Sequence, residues 1–220
     1  MKHFLIALFC FWTLGIRAAE NRGTWKLMRT LAALEAHQAA AAEGEFVYAI
    51  TSRSIAKYDR KSGKRVATSE GAAKHLNSGF FWKGKLLCAH SNYPFKPERS
   101  EIKVLDTDSM KLTTFKDFGS AGGSLTWVLH KGGFWWCNFA LYGADNHKTF
   151  LVKYDEEWRE VARWTYPANV ISQLGRHSLS GGIWRGEELW TTGHDDPVVF
   201  RLGLPKEGSE LEYLGQNPVP

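Results

Sequence analysis

Two pairs of histidines flank short apolar hairpins in this chain. His75 and His90 enclose one hairpin, and His177 and His194 enclose another. Because a hairpin returns its last residue to the end where it began, we expect the members of each pair to lie side by side. Asp195 directly follows the last of these histidines. Neutral imidazole binds transition metals and also exchanges protons near neutral pH, so these residues predict a metal site or acid–base chemistry.

Each of these chemistries has its own candidate residues. The candidate metal ligands are His75, Asn77, Asn138 and His177, whose ring nitrogens suit zinc and whose amide oxygens suit calcium. The candidate catalytic residues are His90, His194 and Asp195, with the carboxylate orienting an imidazole ring. The candidate substrate contacts are Tyr93, Thr126, Trp127 and Ser178. No HExxH, GxSxG, CxxC or P-loop motif is present, so the cofactor stays undefined beyond a possible divalent metal.

An internal repeat indicates what positions these side chains. Asp59, Asp106 and Asp155 each close an apolar run and open a turn, at spacings of 47 and 49 residues. Aspartate suits such a position because its side chain accepts hydrogen bonds from nearby backbone N–H groups. A fourth unit falls near Leu202, where the aspartate is absent. The repeat length is typical of propeller blades.

A glycine turn between two apolar runs marks every unit. The turns lie at Gly44, Gly84, Gly132–Gly133 and Gly186. In the second unit we predict four strands, at about residues 77–82, 85–90, 101–106 and 111–117. Four strands in every 40 to 50 residues predict an all-β fold, a β-propeller of four-stranded blades with four blades visible. Helix propensity alone favours a helix over Arg29–Ala42, but the repeat places a strand there.

In a propeller, the first strand of a blade begins and the second ends on one face, around the central channel. The candidate residues then converge on that face from separate blades. Polar residues on inner strands also form hydrogen bonds to the next blade, so a purely structural role remains the alternative for each of them. The lone run Trp25–Ala32 reads as an outer strand that completes the last blade, and we expect the chain to be truncated from a five- or six-bladed ring.

The N-terminus of the chain predicts export. Residues 1–18 combine a basic start with an apolar run that is too short to span a membrane, which is typical of a signal peptide. A single propeller domain over residues 25–216 and a tail at 217–220 follow. We expect a periplasmic or secreted protein with no membrane association after cleavage.

Cys88 and Cys137 occupy equivalent places in successive units, which favours two buried thiols over a disulfide.

The net charge of +5 comes without a basic run of the kind that binds nucleic acid, so we expect no nucleic-acid partner.

The chain resembles exported bacterial β-propeller proteins of the gluconolactonase and strictosidine-synthase-like class, some of which are called cycloisomerases. The segments that carry this resemblance are HLNSG, GKLLCAHSNYP, GSLTW and SGGIWRGEELWTTGHD. This resemblance covers most of residues 25–216. It implies a calcium ion held by Glu, Asn and Asp, whereas the channel-facing set here is rich in histidine and no corresponding glutamate is found.

Two functions follow as expectations. The first is a lactonase-like or cycloisomerase-like enzyme that acts on a small cyclic ester at the channel face. The second is a non-catalytic propeller scaffold that binds a small molecule or a protein on the same face. Both need the histidine-rich face, so the sequence leaves enzymatic activity undecided.

Overall fold

The computed structural model describes residues 26–219, which form sixteen strands in four antiparallel sheets. Blade 1 contains β1 (Ala39–Glu43), β2 (Phe46–Ile50), β3 (Ile55–Asp59) and β4 (Arg65–Thr68). Blade 2 contains β5 (His75–Trp82), β6 (Lys85–Ser91), β7 (Ser100–Leu105) and β8 (Leu112–Gly119). Blade 3 contains β9 (Ser124–Lys131), β10 (Phe134–Ala140), β11 (Phe150–Tyr154) and β12 (Glu160–Thr165). Blade 4 contains β13 (Gly181–Arg185), β14 (Glu188–Thr192), β15 (Val198–Gly203) and β16 (Glu212–Pro218).

In every blade the strands pair in sequence order, and the first strands of successive blades are neighbours. The chain is therefore a four-bladed β-propeller, which confirms the predicted fold class. Helical structure is confined to two connections within residues 26–219. A 3₁₀ helix, Gly143–Lys148, follows β10, and a single α-helical turn, α1 (Ala168–Ile171), follows β12. No helix in this described range is both long enough and apolar enough to cross a membrane.

The turn residues form the local structure that the repeat predicts. Lys83 and Gly84 link β5 to β6 with φ values of 49° and 73°, as a two-residue hairpin turn with positive φ at both positions requires. Asp59 Oδ1 accepts the Ser62 N–H at 2.6 Å, and Asp106 accepts the equivalent bond from Ser109. Asp155 Oδ1 likewise accepts the Arg159 N–H at 2.8 Å. The structural role predicted for the three aspartates is confirmed.

The segment before blade 1 differs in part from its prediction. Residues 29–38 form no helix and β1 follows them, as the repeat indicates. The outer strand predicted over Trp25–Ala32 is wrong for residues 26–32, which belong to no sheet. Arg29 of this segment lies against blade 1 instead, where its Nη2 donates to the Lys61 carbonyl at 2.9 Å. Glu35, further along, accepts a hydrogen bond from Tyr58 of the same blade. The outer strand of blade 4 is β16, which extends to Pro218. The predicted signal peptide lies outside the described residues.

Apolar side chains between adjacent blades form the core. Leu86 and Cys88 face blade 1, whereas Leu87 and Ala89 face Cys137 and its neighbours in blade 3, because successive strand residues point to opposite faces. Both cysteines are buried and free, as predicted. Burial raises the pKa of each thiol far above its usual range.

Candidate functional site

The channel face contains a small cavity of about 150 Å³, which we call the channel pocket. Its walls come from β5 and β9, from the segments that precede blades 1 and 4, and from the loops that follow β6, β10 and β14. The lining residues are Gln38, His75, Asn77, Tyr93, Thr126, Tyr142, His177, Ser178, Leu179, Ser180 and His194. Seven of the predicted site residues are therefore brought together here: His75, Asn77, Tyr93, Thr126, His177, Ser178 and His194.

The side chains of His177 and His194, which line this pocket, form a cluster with Asp195. The two imidazole centroids are 4.3 Å apart, which confirms that this predicted pair lies side by side. His177 Nδ1 and His194 Nδ1 both contact Asp195 Oδ1, at 2.8 and 2.9 Å. The backbone N–H of His177 donates to the other carboxylate oxygen, Oδ2, at 2.9 Å. One carboxylate thus orients both rings.

This arrangement defines the protonation of the rings. An ionised carboxylate only accepts hydrogen bonds, so Nδ1 of His177 and Nδ1 of His194 must each carry a proton. In the neutral imidazoles the Nε2 atoms then keep their lone pairs. Burial raises the pKa of Asp195, but the hydrogen bonds from the His177 backbone and from the two rings outweigh it and hold that pKa well below its usual range. Asp195 is therefore ionised at neutral pH.

Gly175 makes room for this carboxylate. A Cβ atom on Gly175 would collide with Asp195 Oδ2 and would lie only 3.1 Å from Asp195 Cβ. The loop that carries His177 can therefore approach Asp195 only with glycine at this place. Sequence reasoning missed Gly175, since a glycine that is needed for a distant side chain leaves no local pattern.

Aromatic side chains form a continuous wall from one side of the pocket to the other. Tyr93 lies between His75 and Tyr142, with centroid distances of 5.3 and 5.0 Å, and Tyr142 lies 6.0 Å from His177. Burial, and then electrostatic interaction with His194 and His177, lower the pKa of His75, which favours its neutral form. Burial also raises the pKa of Tyr142 to about 12, so its phenol remains a hydrogen-bond donor.

Tyr142 was not among the predicted site residues, although a signal for it exists. Tyr93 lies two residues beyond the end of β6, and Tyr142 lies two residues beyond the end of β10. The second strands of adjacent blades end on the same face, so equivalent offsets place the two rings together. A comparison of how far each residue lies beyond the end of its strand would have identified Tyr142, whereas a comparison of residue types in aligned segments does not.

His90 is not part of the channel pocket. His75 pairs with Ser91 across the β5–β6 ladder, and His90 pairs with Leu76. A shift of one residue moves a side chain to the opposite face of a sheet, so the expectation that His75 and His90 lie side by side is wrong. His90 faces blade 1, where its Nε2 accepts the Lys74 backbone N–H at 2.9 Å. Burial, followed by the charge of Lys103, lowers the pKa of His90 to about 4.

Two further candidates lie away from the channel pocket. Trp127 is fully buried in the apolar core that blades 3 and 4 share, so the structure does not support its predicted contact with substrate. Asn138 is also fully buried, and its Oδ1 accepts the Tyr166 hydroxyl at 2.7 Å while its Nδ2 donates to Thr126 Oγ1 at 2.8 Å. Its oxygen already has a hydrogen-bond donor within the core, which argues against the predicted role of metal ligand.

Hydrogen bonds between blades use some of the polar residues that line the pocket. Asn77 Nδ2 donates to the Leu125 carbonyl at 3.0 Å and links blade 2 to blade 3. Thr126 Oγ1 donates to the Leu179 carbonyl at 2.7 Å and links blade 3 to the segment before blade 4. These two side chains therefore have the structural role that was the alternative for every polar residue of the inner strands. They also border the pocket, so a ligand can still contact them.

Within residues 26–219, the arrangement of donor atoms points to one potential metal-binding group. The candidate ligand atoms of His177, His194 and Asp195 all lie within 4.8 Å of one another. His75 adds a third imidazole to the same pocket. Imidazole nitrogens in this number suit zinc or another first-row transition metal better than calcium, which prefers oxygen ligands.

Comparisons with known proteins assign no family to the chain. No protein-family model and no curated protein matches the chain. The similar solved structures include hydrazine synthase from Kuenenia stuttgartiensis, at 11% identity and a TM-score of 0.49, covering 73% of this chain and 50% of that one. BamB from Moraxella catarrhalis is 10% identical with a TM-score of 0.41, covering 72% of this chain and 40% of its own. The computationally designed Ika4 protein is 12% identical with a TM-score of 0.46, covering 86% and 100%.

The chain therefore spans half or less of the hydrazine synthase and BamB chains. At such low identities the likeness concerns the fold alone. The β-propeller assignment depends on the four sheets and the order of their strands.

Proposed function

We propose that the channel pocket binds a divalent transition metal and hydrolyses a small cyclic ester. The observation that carries the proposal is the pair of hydrogen bonds from His177 Nδ1 and His194 Nδ1 to Asp195 Oδ1. A histidine that ligates a metal through one nitrogen commonly donates its other N–H to a carboxylate, which fixes the tautomer and makes the ring more basic. Here a single carboxylate does this for two neighbouring rings.

The ligands of this metal would be Nε2 of His177 and Nε2 of His194, with His75 as the third. The structure supports this set through the chemistry of the donors, since all three imidazoles border one pocket and burial favours the neutral, ligating form of His75. Asp195 is assigned to orientation instead of ligation because both of its oxygens already accept hydrogen bonds. When bound, a metal of this kind supplies a Lewis acid and lowers the pKa of coordinated water.

Residues of the chain can bind and orient the ester for hydrolysis. Water adds to the ester carbonyl carbon, the ring C–O bond breaks, and the leaving alkoxide takes up a proton to give a hydroxy acid. The protonated phenol of Tyr142 can donate a hydrogen bond to an ester oxygen, and Tyr93 provides an aromatic surface beside it. A cavity of about 150 Å³ limits the substrate to a small ring.

Support for a lactone as substrate comes from the resemblance of the segments around this pocket to propeller lactonases and cycloisomerases. The donor set differs from the oxygen ligands that the resemblance implies, so we propose an imidazole-bound metal in place of calcium. The basic and apolar N-terminus motivates the further proposal that the protein acts in the periplasm or outside the cell.

The decisive experiment measures metal and turnover in the same preparations. Purified protein is stripped with a chelator and titrated with Zn²⁺, and hydrolysis of a five- or six-membered lactone is followed before and after metal addition. We expect His177→Gln and His194→Gln to lose both Zn²⁺ binding and turnover. His130→Gln is the matched control, because His130 also contacts a carboxylate, Glu156 at 3.0 Å, but lies outside the pocket.

Three outcomes distinguish the alternatives. Loss of metal and turnover in both pocket variants, with the control unchanged, supports the proposal. Metal binding without turnover of any lactone supports the non-catalytic scaffold, which binds ligands at the same face. Equal Zn²⁺ affinity in His177→Gln, His130→Gln and the unaltered protein would refute the metal site itself.

A further inference from the structure

A second cavity lies beside the channel pocket and shares two of its walls. Its volume is about 330 Å³, and Tyr93 and Tyr142 line both cavities. The other lining residues come from the loop after β6, from the segment that leads into β9, and from the end of β10 with the loop that follows it. We call this cavity the aromatic pocket. Its volume is sufficient for a small organic molecule.

Three aromatic side chains line the aromatic pocket. Tyr93 and Tyr142 meet edge to face, with ring centroids 5.0 Å apart. Phe95 is 64% exposed, so its ring is accessible to a ligand. The face of an aromatic ring carries partial negative charge and attracts a cation held within about 6 Å of its centroid. The lining of this cavity therefore favours a positively charged ligand.

One carboxylate of the cavity has an unbalanced negative charge. Asp145 Oδ1 contacts Lys148 Nζ at 2.8 Å, and the hydrogen bond and charge of Lys148, with a weaker effect from Lys96, lower the pKa of Asp145. The charge of Asp145 is thus offset by nearby lysines. Glu98 forms no ion pair with any residue in the range 26–219, and its contact with Ser120 Oγ is long, at 3.5 Å from Oε2.

We propose that the aromatic pocket binds a small quaternary ammonium ion. Such an ion has a diffuse positive charge and no N–H group, so it needs ring faces and a nearby negative charge instead of hydrogen-bond acceptors. Glu98 meets this need, because Oε1 is enclosed and cannot contact a ligand, yet the charge of the carboxylate acts across the cavity. Ala140 and Leu141 provide apolar surface for the methyl groups. A divalent metal fits less well, since it requires several oxygen ligands in direct contact.

This binding requires neither a metal nor ester hydrolysis. The three histidines of the channel pocket, His75, His177 and His194, do not line the aromatic pocket. Binding can therefore be measured in the intact protein with a chelator present, so that its outcome is separate from that of the metal site.

The experiment uses choline as the probe and neohexyl alcohol, in which a carbon atom replaces the choline nitrogen, as its uncharged counterpart of equal shape. Binding is measured by calorimetry at one fixed ionic strength. We expect choline to bind in a saturable manner and neohexyl alcohol to bind at least about tenfold more weakly, because it lacks the charge that the rings and Glu98 attract. Equal affinity for the two molecules would overturn the proposal.

Two variants test the charge and the ring separately. Glu98→Gln should weaken choline binding about tenfold, and Glu207→Gln is its matched control, since it removes the same charge from an exposed position between β15 and β16. Phe95→Leu should weaken binding about two- to fivefold. Its control is Phe115→Leu, because Phe115 is also exposed but lies outside the cavity. The proposal is overturned if either variant binds choline as tightly as its control does.

Discussion

Replacing Asp195 by asparagine tests the central arrangement of the channel pocket. Asp195 accepts three hydrogen bonds, from the His177 backbone and from the two imidazole rings. Asparagine has nearly the same volume but only one acceptor oxygen. If that oxygen faces the rings, the amide NH₂ opposes the His177 backbone N–H. If it faces the backbone, both rings must move their protons to Nε2, which removes the lone pairs that would bind a metal.

The expected loss of stability follows from these bonds. A hydrogen bond to a charged group contributes about 1.5–3 kcal/mol, and a neutral one about 0.5–1.5 kcal/mol. The Asp195 side chain is 29% exposed, so solvent screening reduces the difference. We expect Asp195→Asn to lower the free energy of unfolding by about 2 kcal/mol. For a domain of this size, that corresponds to a fall of roughly 4–8 °C in Tm.

The pH dependence provides a sign that can be checked. The pKa of Asp195 is lowered in the folded protein, so its contribution is present above the ordinary aspartate pKa and is lost as the pH falls through the folded value. The difference in Tm between the unaltered protein and Asp195→Asn should therefore be largest near neutral pH and should shrink below about pH 4. Asp145→Asn, which affects only an exposed pair with Lys148, should show a small difference at every pH.

The assay combines thermal unfolding across pH with Zn²⁺ titration. Removing a group that orients metal ligands commonly weakens metal binding about 10- to 100-fold, and we expect a loss in this range. The ¹⁵N spectra of the two histidines report their tautomers directly. Unchanged tautomers together with an unchanged Tm would refute the role assigned to Asp195.

Two other predictions concern the core. Gly182→Ala should lower the free energy of unfolding by about 1–3 kcal/mol, because a Cβ atom there would lie 2.9–3.1 Å from three indole carbons of the fully buried Trp127. Urea unfolding measures this change, and equal urea midpoints for the variant and the unaltered protein would contradict the packing. Cys88 and Cys137 should resist a thiol reagent in the native protein at pH 8 and react fully in denaturant. Burial raises the pKa of both thiols and blocks access of the reagent. Rapid labelling of either cysteine in the native protein would show that its strand is not buried as described.

Much of blade 2 follows from local sequence signals. The four strands predicted for it agree with β5 to β8 within two residues at each end. The Lys83–Gly84 turn and the aspartate turn at Asp106 explain this agreement, because both depend on neighbours within a few residues. The run Trp25–Ala32 has no such signals. From residue 26 onward its position depends on contacts with the surface of blade 1, such as that of Arg29 with Lys61.

The sequence by itself determined that the chain repeats a four-stranded unit and that His177 and His194 lie together, since hairpin geometry and turn chemistry are local. Only the tertiary structure decided which face each side chain occupies. His75 and His90 lie at the same end of one hairpin, yet a pairing offset of one residue sends their side chains to opposite faces of the sheet. Because strand side chains alternate with a period of two, such an offset is decisive, and it arises from the register shift between Leu76 and Gly79, where β5 has one residue more than β6.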